Sequence, residues 1–63
     1  MFTVGTRVQL HPSMDHWMKG DRFGRVAQVI GQTYHVKLDS GNDTLAYESF
    51  LTRANDTLAP IGD

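Results

Sequence analysis

Gly24-Arg25-Val26-Ala27-Gln28-Val29-Ile30-Gly31-Gln32-Thr33-Tyr34-His35-Val36-Lys37-Leu38-Asp39 is the stretch whose reading decides the fold. At its centre, Gly31-Gln32 puts glycine first in a two-residue turn, where a type II′ hairpin requires positive φ. Beyond the turn, Tyr34, Val36 and Leu38 alternate with His35 and Lys37, the period of a strand with one buried face. Before it, Val26 and Val29 are three apart and cannot share a face of a regular strand. A bulge or sharp bend near Ala27 restores the common face, because one extra residue resets the alternation. The segment therefore predicts a β-hairpin with one bent arm.

Working outward, Val8 and Leu10 alternate with polar neighbours, which predicts a strand over residues 7–11, entered through Gly5. Residues 11–22 carry no sustained period and are bounded by Pro12 and Gly20, which predicts a long loop. Ser40-Gly41-Asn42-Asp43 is dense in turn formers. Residues 44–48 predict a fourth strand presenting Leu45 and Tyr47 together, and residues 49–53 a short turn and a last strand. A helix over residues 43–54 is disfavoured, since Leu45, Ser49 and Thr52 make a poor apolar stripe and leave Tyr47 and Phe50 unexplained. Five short strands hide their edges best in a closed or nearly closed small barrel. The expected organisation is an all-β, five-stranded SH3-like barrel over residues 1–53 with a long loop between the first two strands. Residues 54–63, with Pro60 and Gly62 and no period, read as a loosely held tail.

Sixty-three residues allow one modest core, and the chain has no cysteine to staple it with a disulfide or a thiolate metal site. An intracellular, cytoplasmic setting is the expectation. No run approaches the apolar length of a membrane helix and the N-terminus lacks a signal-peptide pattern, so no membrane partner is expected. Six basic against seven acidic residues leave a net charge of −1. A general electrostatic grip on nucleic acid is not implied, and any such site must be a local patch.

Val8-Gln9-Leu10, the intervening loop and Lys19-Gly20-Asp21-Arg22-Phe23-Gly24-Arg25-Val26 together resemble the KOW and Tudor-like group of SH3-like barrels. Tyr34-His35-Val36-Lys37-Leu38-Asp39-Ser40-Gly41 resembles the third strand and acidic turn of such barrels, and residues 49–53 stand at the place of their closing turn. The likeness covers about residues 5–53; the loop is longer than the KOW version and carries Met14, Trp17 and Met18. The pattern is also similar to short uncharacterised bacterial and phage reading frames. The resemblance implies a module that touches RNA or protein in transcription or translation, or one that recognises peptides.

Residues 11–23 gather Trp17, Met18 and Phe23 beside Lys19, Arg22 and Arg25. Such a loop can stack on a base or hold a peptide while its cations meet phosphate or acidic side chains. Alternatively, Trp17, Met18 and Phe23 fold back as a lid over an undersized core. Arg7, Arg25, His35 and Lys37 should point outward from the first three strands, either as a patch for the phosphates of RNA or single-stranded DNA or as ordinary edge-strand charge. His11, Asp15, His16 and His35 invite a metal reading, but their spacing matches no zinc pattern. Ser13, Ser40 and Ser49 lie in turns without an evident base and acid, and Asp15 and Asp21 have little enclosed space to act as acid and base. The sequence thus predicts a non-catalytic binding module without cofactor. Its expected partner is RNA or single-stranded DNA, through Trp17, Met18, Lys19, Arg22, Phe23, Arg25, His35 and Lys37. The alternatives are a protein-interaction module acting on a larger complex, and a homo-oligomeric structural protein.

Overall fold

The computed structural model describes residues 1–54. Five strands run through them: β1 Arg7–Leu10, β2 Phe23–Ile30, β3 Thr33–Leu38, β4 Asp43–Tyr47 and β5 Leu51–Arg53. They form one antiparallel sheet in the order β4-β3-β2-β1-β5. The tail expected from residue 54 lies outside the described residues except for Ala54, whose N–H donates to the Arg7 carbonyl at 2.8 Å.

The central hairpin forms as its sequence requires. Ile30 pairs with Thr33, leaving Gly31-Gln32 as a two-residue turn. Gly31 has φ of +59° and Gln32 does not adopt positive φ, the combination of a type II′ turn. The β2–β3 register shifts between Val26 and Gln28, so Ala27 is the extra residue of a bulge. In consequence Val26 and Val29 share the inner face. The inner face of the sheet carries Val8, Leu10, Val26, Tyr34, Val36, Leu38, Ala46 and Leu51, all buried, with Phe2, Met14 and Trp17 packed against them.

Gly24 marks the tightest approach in the sheet. It pairs with both Val8 and Leu38, and a Cβ there would stand 2.5 Å from the Lys37 carbonyl oxygen and 2.8 Å from Val36 Cγ1. The strands can sit at this spacing because the position has no side chain.

Four features differ from the sequence expectation. The sheet is not closed into a barrel: β4 and β5 are its edges, and the 3₁₀ turn Glu48–Phe50 spans from one to the other. The long loop contains one helical turn, α1 Asp15–Met18, too short to show a period and ended at Gly20, whose φ of +93° suits a residue without Cβ. Leu45 and Tyr47 do share a face of β4, but it is the outer one, 62% and 56% exposed, while Ala46 turns inward. Arg7 does not point into solvent. It lies buried against the outer face, where its two terminal nitrogens donate to the two Asp39 carboxylate oxygens at 2.5 and 2.7 Å. The guanidinium sits 5.5 Å from the centre of the Phe23 ring. A bidentate carboxylate and an aromatic lid remove this arginine from the surface.

Gly24→Ala should therefore be strongly destabilising, by about 3 kcal/mol, the upper end of the overpacking range, because the obstructing atoms include backbone. A shifted urea midpoint at unchanged slope would register it. Stability within experimental error of the wild type would refute the close approach.

Candidate functional site

The expected site residues fall into two groups. The first belongs to the loop between β1 and β2. Trp17 is half-buried and packs against the core beside Met14, and the Arg22 guanidinium lies 4.6 Å from the centre of its ring. Met18 is 83% exposed and stands with exposed Lys19 at the loop tip. The loop is secured at its base: Leu10 N–H donates to the Arg22 carbonyl at 2.8 Å, and His11 N–H to the Phe50 carbonyl at 2.9 Å. Trp17 thus has the position of a lid, whereas Met18 does not.

The second group lies on the outer face of the sheet. Arg25 pairs with Lys37 across β2 and β3, and Lys37 with Asp43 across β3 and β4. His35 stands beside them, with Nε2 3.4 Å from an Asp43 oxygen, while Lys37 Nζ approaches the other Asp43 oxygen at 3.9 Å. Arg25 donates to the Gly5 carbonyl at 3.0 Å. Phe23, 38% exposed, covers Arg7 at the end of the same face. The cations here are interleaved with Asp39 and Asp43, so the face is mixed in charge.

A third feature was not anticipated. Between the loop and the β4 edge runs a groove of about 460 Å³, lined by Ser13, Met14, Asp15, His16, Leu45, Ala46, Tyr47 and Phe50. Its walls follow from local structure. The single turn of α1 carries Asp15 and His16, and the 3₁₀ turn brings out Phe50, whose ring meets His11 edge-on at 5.9 Å between centres. Tyr47 enters because β4 turns its large residues outward. Among the described residues, the groove combines aromatic and thioether surface with one carboxylate, and no lysine or arginine lines it. Such a lining accepts apolar side chains and a neighbouring positive group. The sequence signal for it was the alternation of Leu45 and Tyr47, legible as a shared face with its side of the sheet left open.

Asp21 ties the loop to the far end of the sheet. Asn42 Nδ2 donates to Asp21 Oδ2 at 3.2 Å. Hydrogen bonding from Ser40, and next from Asn42, holds the Asp21 carboxyl below its ordinary value of 3.8, against a smaller opposing effect of burial, with lesser contributions from His16 and Lys19. The histidines go to different neighbours: His11 Nδ1 lies 2.7 Å from Ser13 Oγ, and His35 faces Asp43. Among the described residues, no group of three or more histidine, cysteine, aspartate or glutamate side chains is arranged to hold a metal ion. Nor is any helix among them long and apolar enough to cross a membrane. Comparison with protein-family models, curated proteins and solved structures gave no significant match.

Two outcomes are expected from this geometry. Trp17→Ala should cost roughly 2 kcal/mol, less than a fully enclosed aromatic, with the sheet retained, as measured by denaturant unfolding and circular dichroism. Because the folded pKa of Asp21 lies below its unfolded value, the tether should be complete above pH 3.8 and released as pH falls through the folded pKa. Side-chain NMR should show the Asn42 amide following the Asp21 titration, and Ser40→Ala should move that titration upward. An Asn42 signal indifferent to pH would disprove the tether.

Proposed function

We propose that this chain is a non-catalytic protein-interaction module of SH3-like architecture that holds an extended peptide segment in the groove between its long loop and β4. The architectural part draws support from the strand order, the long connection between β1 and β2, and the 3₁₀ turn before β5. The functional part rests chiefly on one observation: Tyr47 and Phe50, 56% and 39% exposed, line a groove facing Met14 and Asp15. Exposed aromatics clustered in a concave site are the residues that carry binding energy in peptide and protein recognition. The groove's single carboxylate favours a segment that sets a basic residue beside an apolar one.

The nucleic-acid reading draws less support. Arg7 is committed to Asp39, Arg22 lies over Trp17, and Lys37 and His35 share Asp43. An electrostatic site for phosphates works best with cations gathered on one surface without interleaved carboxylates. That reading draws mainly on Lys19, exposed at the loop tip, because Arg25 on the outer face is itself bonded to the Gly5 carbonyl.

Selection from a displayed peptide library decides between them. The expected binders contain an apolar residue next to a lysine or arginine, and Tyr47→Ala with Phe50→Ala should weaken them at least about tenfold while the far-ultraviolet spectrum is unchanged. Fluorescence anisotropy with single-stranded RNA and DNA forms the second arm. Salt-sensitive oligonucleotide binding lost in a Lys19→Glu, Arg25→Glu variant, together with no peptide binders, would replace the proposal with the nucleic-acid reading.

A further inference from the structure

The two edges of the sheet are unlike. β5 has three residues, includes Arg53, and continues into Ala54, which bonds back to Arg7. Its shortness and its charge are devices that discourage pairing with another chain. β4 has five residues, with neither proline nor lysine nor a bulge, and pairs with β3 alone among the described residues. Its outer face carries Asp43 at one end and then Leu45 and Tyr47, both exposed, with Ile30 on the same side of the sheet, 48% exposed.

The backbone of β4 can be oriented residue by residue. Leu38 N–H donates to the Asn42 carbonyl at 2.7 Å, so 38 and 42 are a hydrogen-bonded pair. Hydrogen-bonded pairs recur at every second position of an antiparallel ladder, which assigns Thr44 to Val36 and Ala46 to Tyr34. Asp43 and Leu45 therefore turn both N–H and C=O away from β3, toward an edge that no described residue pairs with, and Tyr47 turns its N–H there while its C=O accepts the first bond of the 3₁₀ turn.

We infer that β4 is a self-association edge, at which two copies of this chain pair antiparallel about a two-fold axis through Leu45. In that register Leu45 exchanges both hydrogen bonds with Leu45 of the second copy, and the Asp43 C=O accepts from the Tyr47 N–H of the second copy. The Leu45 side chains touch across the axis, and the apolar strip from Ile30 continues from one sheet into the next. The one charged residue of β4, Asp43, stands opposite tyrosine, and the register brings no like charges face to face. A second copy is the occupant that this symmetry specifies, since a two-fold interface needs one self-complementary patch and nothing else. The chain's net charge of −1 offers little repulsion. A single strand pair makes a small interface, so the dimer should dissociate with a constant between about 10 µM and 1 mM.

The inference is independent of the groove's occupant and is tested on the chain alone. Sedimentation velocity across that concentration range should show a shift from the 7.1 kDa monomer toward twice the mass. Hydrogen exchange supplies the specific readout. Amides of Leu45 and Tyr47 should gain protection as concentration rises, while those of Thr44 and Ala46 are protected throughout. Leu45→Lys, at an exposed position, should weaken association at least about tenfold by placing two ammonium groups on the axis, without loss of fold. Val4→Lys, at a comparably exposed apolar site, should leave association unchanged. A chain wholly monomeric at about 1 mM, where even the weak end of the expected range leaves about half of it dimeric, would overturn the inference. So would association equally sensitive to Val4→Lys, or concentration-dependent protection that ignores the alternation along β4.

Discussion

At Ala27, β2 carries one residue more than β3 opposite it, and both faces of the sheet are arranged around that insertion. Without it, Val26 and Val29 would lie on opposite faces and every side chain from residue 28 onward would exchange inside for outside. With it, Val26 and Val29 face inward while Gln28 and Ile30 face outward beside His35 and Thr33. The apolar end of the outer face, Ile30 with Leu45 and Tyr47, exists because the bulge puts Ile30 there. A bulge also bends its strand and increases local twist, which is how a five-stranded sheet wraps its inner face around so few large side chains.

The long loop is held as a wall rather than left as a flap. It is bonded to β1 at its base through Leu10 and Arg22, to the 3₁₀ turn through His11 and Phe50, and to the β3–β4 turn through Asp21 and Asn42. Trp17 closes the core beneath it, and Arg22 covers the outer side of that ring. These restraints come from three separate parts of the chain. A groove with one such wall keeps its shape before anything enters it, which lowers the ordering cost of binding.

The hairpin, the bulge and the loop boundaries were legible in the sequence because each is decided by residues within a few positions of one another: Gly31 before Gln32, Val26 against Val29, Pro12 and Gly20. Of the closed or nearly closed barrel expected from five strands, the sheet is present without the closure, because β4 and β5 stand at its two ends and do not pair with each other. Which face β4 turns outward is decided by volume. Tyr34 and Ala46 are directly paired across β3 and β4, and the buried tyrosine ring, with Phe2 edge-on to it at 5.5 Å, leaves space for a methyl group opposite. Leu45 and Tyr47 are pushed outward by a neighbour twelve or so residues away, which a period-two pattern in β4 alone does not register. Arg7 takes the outer face that its alternation implies, but it is buried there and not exposed as part of a patch. Its burial depends on Asp39 and Phe23, and no local feature of Gly5-Thr6-Arg7-Val8 announces either partner.

The displacement of Leu45 and Tyr47 concentrates surface chemistry on one strand. Had Ala46 faced outward, β4 would be an inconspicuous edge, and the groove would lose one of its two aromatics. As built, the Tyr47 ring serves the groove while the backbone of the same residue points along the free edge. A second copy on that edge and a peptide in the groove therefore draw on one short strand, and each restricts room for the other. Self-pairing then works against peptide occupation in proportion to concentration, because a ligand that requires the monomer loses affinity by the fraction of monomer remaining. Coupling of this kind needs no conformational change in the core. It follows from one small residue turned inward and two large ones turned out.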